Sequence, residues 1–142
     1  MILVDTGPFV ALFDPGDSEH RRCREAFRGV GDDFSTTVPV LTEAFHMLAP
    51  GSRGADNLRS FVLRGGVSVW FMDESSLSRA FELMEKYADL PMDLADASLV
   101  TAAEVLGTRR IFTLDFRDFS VYRIRKGRRL ESLDVIQIGR DR

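Results

Sequence analysis

Ile2-Leu3-Val4-Asp5-Thr6-Gly7-Pro8, an apolar run closed by a carboxylate and followed by turn residues, decides the reading of this chain. Ile2 to Asp5 is expected as a buried first strand, and Thr6-Gly7-Pro8 as the turn into a short apolar helix, Phe9 to Phe13. The pattern returns late in the chain, where Ile111-Phe112-Thr113-Leu114 runs into Asp115. One Asp after a strand is ordinarily a turn or helix cap. Two of them carry more weight: in open α/β sheets ligands bind outside the carboxyl ends of the strands, so both carboxylates would project where a site is expected.

Between these runs, short apolar segments alternate with helical periods, the pattern of an α/β protein. The expected architecture is a three-layer α/β/α sandwich around a mainly parallel sheet. The length of 142 residues suits a single domain over 1–142. Asp17 or Ser18 can cap a helix running to about Arg28, and Phe34 to Thr36 reads as a second strand. From Thr37, the recurrence of Val38, Leu41, Phe45 and Leu48 predicts an amphipathic helix with Pro39 in its first turn, ending near Pro50-Gly51. A weaker helix, Ala55 to Leu63, leads to a strand, Val67 to Met72. Asp73 caps the next helix, whose expected buried stripe is Leu77, Ala80, Phe81, Met84, Tyr87 and Ala88. Leu90-Pro91 breaks it. Asp93 then starts a helix in which Ala95, Leu99, Ala102 and Leu106 recur, with Gly107 as its stop. After the strand from Ile111 to Asp115, residues Phe116 to Leu133 are expected to be irregular and basic, and Val135 to Ile138 to close the sheet as an edge strand.

Composition narrows the class. With 44% hydrophobic and 29% charged residues the chain should fold around a core rather than remain disordered. A net charge of −3 argues against holding nucleic acid by overall positive charge. Cys23 is the only cysteine, which excludes an intrachain disulfide and a Cys-rich zinc site and suits a reducing cytoplasm. No basic region precedes an apolar stretch at the start, and no apolar run approaches the roughly 18 residues of a membrane span. A cytoplasmic location without membrane contact is therefore expected.

Other carboxylates join Asp5 and Asp115 as candidates. Glu43 is the only acidic residue between Thr36 and Asp56, in the nearly uncharged stretch Val38 to Phe45. A solvated helix face normally carries several charges, so a lone carboxylate there is either a functional group or the exposed edge of an amphipathic helix. His46, one turn later, could hydrogen-bond to Glu43 and otherwise reads as structural. Asp93 and Asp96 fall three apart, as in a capping box, with Asp93 as the cap. Asp96 has small neighbours, Ala95, Ala97 and Ser98, that allow close approach of a ligand. Its place in the first helical turn favours the ionised form. Asp73 reads as a plain cap. If Asp5, Glu43, Asp96 and Asp115 converged, pairs about 4 Å apart would repel by about 4 kcal/mol at an effective dielectric of 20. Such a pocket needs counter-charge. Oxygen-only ligands select Mg²⁺ or Mn²⁺ over Zn²⁺, and such a site suits hydrolysis of a phosphodiester.

Taken together, Ile2-Leu3-Val4-Asp5-Thr6, the Glu43 helix, Asp93-Leu-Ala-Asp96-Ala-Ser-Leu-Val and Thr113-Leu-Asp115-Phe-Arg-Asp118-Phe resemble a PIN domain, most nearly the VapC-type ribonuclease toxins of prokaryotic toxin-antitoxin pairs. The resemblance covers essentially the whole chain. It implies a parallel sheet in an α/β/α sandwich and a Mg²⁺- or Mn²⁺-dependent endoribonuclease. It further implies a homodimer and a VapB-like antitoxin whose segment covers the acidic pocket. By position it implies Asp5 and Asp96 as main metal ligands, Glu43 beside them and Asp115 completing the quartet. Thr6 and Thr113 would brace these carboxylates, and Asp118 fits the last motif as well as Asp115 does. Two other readings stay open: an RNA-processing PIN nuclease without an antitoxin, and a non-catalytic acidic module that receives an Arg-rich partner. A phosphatase of the haloacid-dehalogenase type is disfavoured because Gly7 stands where its second Asp belongs. A receiver domain is disfavoured because neither Lys86 nor Lys126 ends a late strand.

The basic residues are uneven. Residues 117–142 carry a local balance of +4, against −7 for the first 116. Arg117, Arg123, Arg125, Lys126, Arg128 and Arg129, punctuated by Phe116, Phe119 and Tyr122, could contact phosphates and stack bases of single-stranded RNA, or could form an ordinary solvated loop.

Overall fold

In the computed structural model, which describes residues 1–136, the first strand is the centre of the sheet. β1 (Ile2–Val4) is fully buried and has a parallel partner on each side. β2 (Phe34–Thr37) pairs through Ile2↔Phe34 and Leu3↔Ser35; β4 (Arg110–Phe112) pairs through Leu3↔Ile111 and Val4↔Phe112. β3 (Ser68–Trp70) lies outside β2 and β7 (Asp134–Val135) outside β4, giving the all-parallel order β3-β2-β1-β4-β7. The chain builds one half of the sheet outward from β1, then returns to β4 on the other side. The gap above β1 and β4 is therefore the topological switch point, where open parallel sheets leave a crevice.

Helices fill the crossovers. α1 (Thr6–Phe13) and α2 (His20–Gly29) join β1 to β2, and α3 (Val38–Leu48) and α4 (Arg53–Leu63) join β2 to β3. α5 (Glu74–Lys86) and α6 (Leu94–Leu106) join β3 to β4. α1 packs with α2 and α4, α5 packs with α6, and α3 touches both α1 and α6. Helices thus flank a mainly parallel sheet, as expected. α6 buries a nearly continuous run from Ala97 to Ala103. Its small residues let it lie close against β1 and β2.

Three features differ from expectation for identifiable physical reasons, beyond shifts of one to three residues at several element ends. α1 begins at Thr6 rather than Phe9, because Asp5 itself caps the helix by accepting the Thr6 N–H at 2.7 Å. Pro8 is tolerated in that first turn, where an N–H has no intrahelical acceptor to reach. Gly7 packs closely there: a Cβ would stand 3.1 Å from Leu114 Cδ1, which would have to shift by a few tenths of an ångström. The stripe of α5 is rotated by one row. Ser76, Ala80 and Leu83 are buried, while Phe81 and Ala88 are exposed. Ser76 is turned inward because it closes a capping box with Asp73. The segment after β4 is not irregular. It forms α7 (Phe116–Val121) and an antiparallel hairpin, β5 (Arg123–Lys126) and β6 (Arg129–Ser132), around Gly127 at φ +62°. Each strand of that hairpin has one apolar residue, Ile124 or Leu130, too little alternation to read. β7 is the expected edge strand; residues 137 and 138, included in that expectation, lie outside the described residues.

Beneath the switch point, Thr37 Oγ1 and Ser98 Oγ lie 2.6 Å apart and fully buried, and Ser98 donates to the Ala95 carbonyl at 2.7 Å. The pair ties the end of β2 to the first turns of α6. Replacing Ser98 by Ala leaves the Thr37 hydroxyl proton without that acceptor. Urea unfolding of Ser98→Ala is expected to show a loss of about 1–3 kcal/mol; an unchanged midpoint would show that the tie contributes nothing.

Candidate active site

β1 delivers Asp5 to the crevice, and two donors hold it. Its Oδ1 accepts the Thr6 N–H and its Oδ2 accepts the Thr113 hydroxyl, both at 2.7 Å. Thr113 follows β4, so this bond joins the ends of the two strands at the switch point. Asp5 is only 8% exposed. Burial pushes its carboxyl up to about 6, helped by Glu43 and Asp93 and opposed by the two donors.

Asp96 arrives from the other side, on the first turn of α6. Its backbone N–H donates to Asp93 Oδ1 at 2.8 Å, so Asp93 is the cap, as expected. The Asp96 side chain is left for the crevice, where its Oδ2 accepts the Tyr122 hydroxyl at 3.2 Å. Burial, then Asp93 and Asp5, pushes its carboxyl up to about 7. Glu43 comes from the middle of α3 and receives the Thr6 hydroxyl at 3.5 Å. Burial and Asp93 raise its carboxyl above the usual range. Asp115 caps α7 by accepting the Asp118 N–H at 3.1 Å, and its own N–H donates to Thr113 at 3.0 Å. Asp118 is raised by partial burial and by Asp115.

All six carboxylates, Asp5, Glu43, Asp93, Asp96, Asp115 and Asp118, line one cavity of about 620 Å³, with Met47, Leu90, Pro91 and Leu114 as apolar wall. Among the described residues no Lys or Arg lines it. Both Asp115 and Asp118 reach it. Among the described residues no three His, Cys, Asp or Glu side chains are grouped closely enough to hold a metal ion together.

Tyr122 is the partner of Asp96 that the sequence hides. Its place among arginines suggests stacking on RNA, yet it and Phe119 are fully buried, packed edge-to-face at 5.1 Å, and so cannot reach bases. The alternating Arg and aromatic residues give no sign that the hydroxyl turns inward to Asp96. His46 is exposed and makes no bond to Glu43. The basic residues are dispersed. Arg117 is exposed beside Asp118 on α7. The Arg123 guanidinium closes the end of α7, donating to the Ser120, Val121 and Tyr122 carbonyls at 2.7–3.0 Å. Arg125, Lys126, Arg128 and Arg129 lie on the hairpin, which the Arg125 N–H fastens to Glu104 at 2.6 Å. Glu104 is two turns beyond Asp96, about 12 Å along the helix axis.

The chain has known relatives of the same build. It is 28% identical over 126 residues to Ribonuclease VapC26 of Mycobacterium tuberculosis, a match covering 86% of this chain and 92% of that protein. The crystal structure of Mycobacterium tuberculosis VapC20, a sarcin-ricin loop cleaving toxin, superposes with a TM-score of 0.76 at 22% identity, over 82% of this chain and 92% of that one. A chain of a toxin-antitoxin complex from Klebsiella pneumoniae superposes with a TM-score of 0.65 at 16% identity, over 85% and 92%. At these identities the structural matches establish the fold. Among the described residues no helix is long and apolar enough to cross a membrane. The PIN domain family model matches residues 2–126, a span that takes in β1 to β4 and every carboxylate of the cavity, and the chain belongs to that family.

Proposed function

We propose that this protein is a Mg²⁺- or Mn²⁺-dependent endoribonuclease that hydrolyses RNA phosphodiester bonds at the carboxylate cavity, as the toxin of a type II toxin-antitoxin pair. The observation that carries the proposal is the crowding of six carboxylates in one cavity that no cation among the described residues lines. At an effective dielectric of 20, any ionised pair about 4 Å apart would cost about 4 kcal/mol, so keeping the carboxylates ionised at neutral pH calls for positive charge from a ligand. Its donors are all oxygen, which suits Mg²⁺ or Mn²⁺. Mg²⁺ keeps several waters and needs only one or two protein carboxylates, so an open cavity fits it without a closed cage.

Asp5 and Asp96 are the pair to hold the ion, with Glu43 beside them and Asp115, assisted by Asp118, at the outer rim. When bound, the ion activates water for attack and stabilises charge on the phosphate oxygens. The chain's own contribution is orientation. The Thr113 hydroxyl and the Thr6 N–H each take one oxygen of Asp5, so its carboxylate has a single orientation. The Thr6 hydroxyl donates to Glu43, and the Tyr122 hydroxyl donates to one oxygen of Asp96. Similarity to Ribonuclease VapC26 supports RNA as the substrate. The proposal includes a VapB-like antitoxin that covers the cavity, in keeping with the toxin-antitoxin complex from Klebsiella pneumoniae in which this fold occurs, and a homodimer, which only the sequence resemblance implies.

Protein freed of any partner is expected to cleave RNA with Mg²⁺ or Mn²⁺ and to be silenced by EDTA. Asp5→Asn and Asp96→Asn should each lower the rate by about 100-fold or more, with unchanged circular dichroism. Full cleavage in both variants would overturn the assignment and favour a non-catalytic acidic module.

The raised carboxyls also set a pH dependence. Asp5 and Asp96, at about 6 and about 7 in the fold, keep protons that the unfolded chain releases near pH 4. Their contribution to stability is present below about pH 4 and is lost as pH rises through 6 to 7. In EDTA, the melting temperature should therefore fall from pH 5 to pH 8 more steeply for the wild type than for Asp5→Asn. Mn²⁺ should recover more of it at pH 8 than at pH 5. A wild-type slope no steeper than that of Asp5→Asn would contradict the burial of a protonated Asp5.

A further inference from the structure

A second groove lies at the far half of α6, lined by Trp70 and Phe71 after β3, Arg79 on α5, Glu104 and Val105 on α6, and Arg125 on the hairpin; its volume is about 400 Å³. We propose that this groove binds a single-stranded segment of the RNA substrate, stacking a base on Phe71 and Trp70 and taking phosphates on Arg125 and the hairpin tip. The inference rests on the reading of the protein as a ribonuclease and adds to it a place where RNA is held away from the cut.

The apolar part of the groove is open to a base: Phe71 is 72% exposed and Val105 61% exposed. Its acids are already engaged. Glu104 Oε1 accepts Arg79 Nε at 2.8 Å; its Oε2 accepts Arg79 Nη2 at 3.0 Å and the Arg125 backbone N–H at 2.6 Å. Both oxygens of Glu104 are used and its charge is balanced by Arg79. Asp73 is likewise occupied, capping α5 through Ser76. Among the described residues, the side chains of Arg125, Lys126, Arg128 and Arg129 make no ion pair or hydrogen bond. They form an uncompensated positive group beside an exposed aromatic one, the combination that binds single-stranded nucleic acid without reading its sequence.

The mounting is rigid. Ile124 is 4% exposed and anchors β5 against α6, and the Arg125 N–H fixes the register of the hairpin on Glu104. Glu104 lies about 12 Å along α6 from Asp96, so a strand with its scissile phosphate at the carboxylates reaches the groove within a few nucleotides. A second copy of the chain is a poorer occupant: a two-fold contact through this face would bring two unpaired cationic tips together.

The test is binding of a short labelled single-stranded RNA by the full protein in EDTA, where cleavage is off, read by fluorescence anisotropy. Phe71→Ala and Arg125→Ala should each weaken binding by about 5- to 100-fold. Phe71→Trp should retain it, and Arg125→Ala should also flatten the salt dependence, by about 0.7 in log–log slope for each phosphate that is no longer neutralised. Unchanged affinity and salt slope in both alanine variants would overturn the proposal, as would absence of RNA binding by the wild type. If Phe71→Ala instead abolished self-association in sedimentation without changing RNA affinity, the groove would belong to a second copy and the proposal would also fall. Failure of the wild type to cleave with Mg²⁺ or Mn²⁺, alongside weakened RNA binding in these variants, would refute the active-site reading and leave the groove standing.

Discussion

The hydrogen bond from the Thr113 hydroxyl to Asp5 is the interaction on which the site depends. It joins the residues that follow β1 and β4, the two strands between which the sheet reverses its order, and it does so inside the fold, where Asp5 has almost no access to water. A carboxylate so buried needs donors for both oxygens. The Thr6 N–H supplies the other because α1 starts at once after Asp5. One residue therefore ends a strand, caps a helix and faces the cavity. The absence of spare residues between β1 and α1 follows from that, and so does the glycine at position 7, which leaves room for Leu114.

Around this fixed point the other carboxylates are brought in by elements with separate structural reasons to be there. α6 presses against β1 and β2 because its residues are small, and this carries Asp96 to the crevice while Asp93 is taken up by the cap. Asp115 is taken up by α7 in the same way. The fold thus uses Asp93 and Asp115 to start helices, and Asp5 both to start α1 and to face the cavity, while burial first and neighbouring carboxylates second raise Asp5, Glu43, Asp96 and Asp118.

Much of this is legible in the residues. Apolar runs ending in Asp5 and before Asp115, and a lone Glu43 in an uncharged stretch, point to strand-end and helix-face carboxylates without any coordinates. The parallel sheet and its edge strand follow from alternation of buried runs and helical periods. What cannot be read has a common cause: the signal there lies in one residue rather than in a period. Ser76 turns α5 by one row through its capping hydrogen bonds, Gly127 makes a hairpin of a stretch that looks like a polar loop, and Tyr122 enters the core because its hydroxyl has a carboxylate to meet. A polar partner changes the burial of its owner, and hydrophobicity alone does not record partners.

That distinction also explains how a chain of net charge −3 can be shaped for a polyanion. Charge matters by place. The acids are concentrated in one cavity, where burial and mutual repulsion favour protons on Asp5 and Asp96; in the proposed function a bound cation would take the place of those protons and let phosphate approach. The uncompensated arginines and lysine stand apart on the hairpin, held there by Glu104, the same residue that removes Arg79 from the count of free cations. Had those cations lined the cavity instead, they would have paired with its carboxylates and held them ionised. Separation of about 12 Å along α6, longer than the Debye length of about 8 Å at physiological salt, lets both charges persist in one small domain.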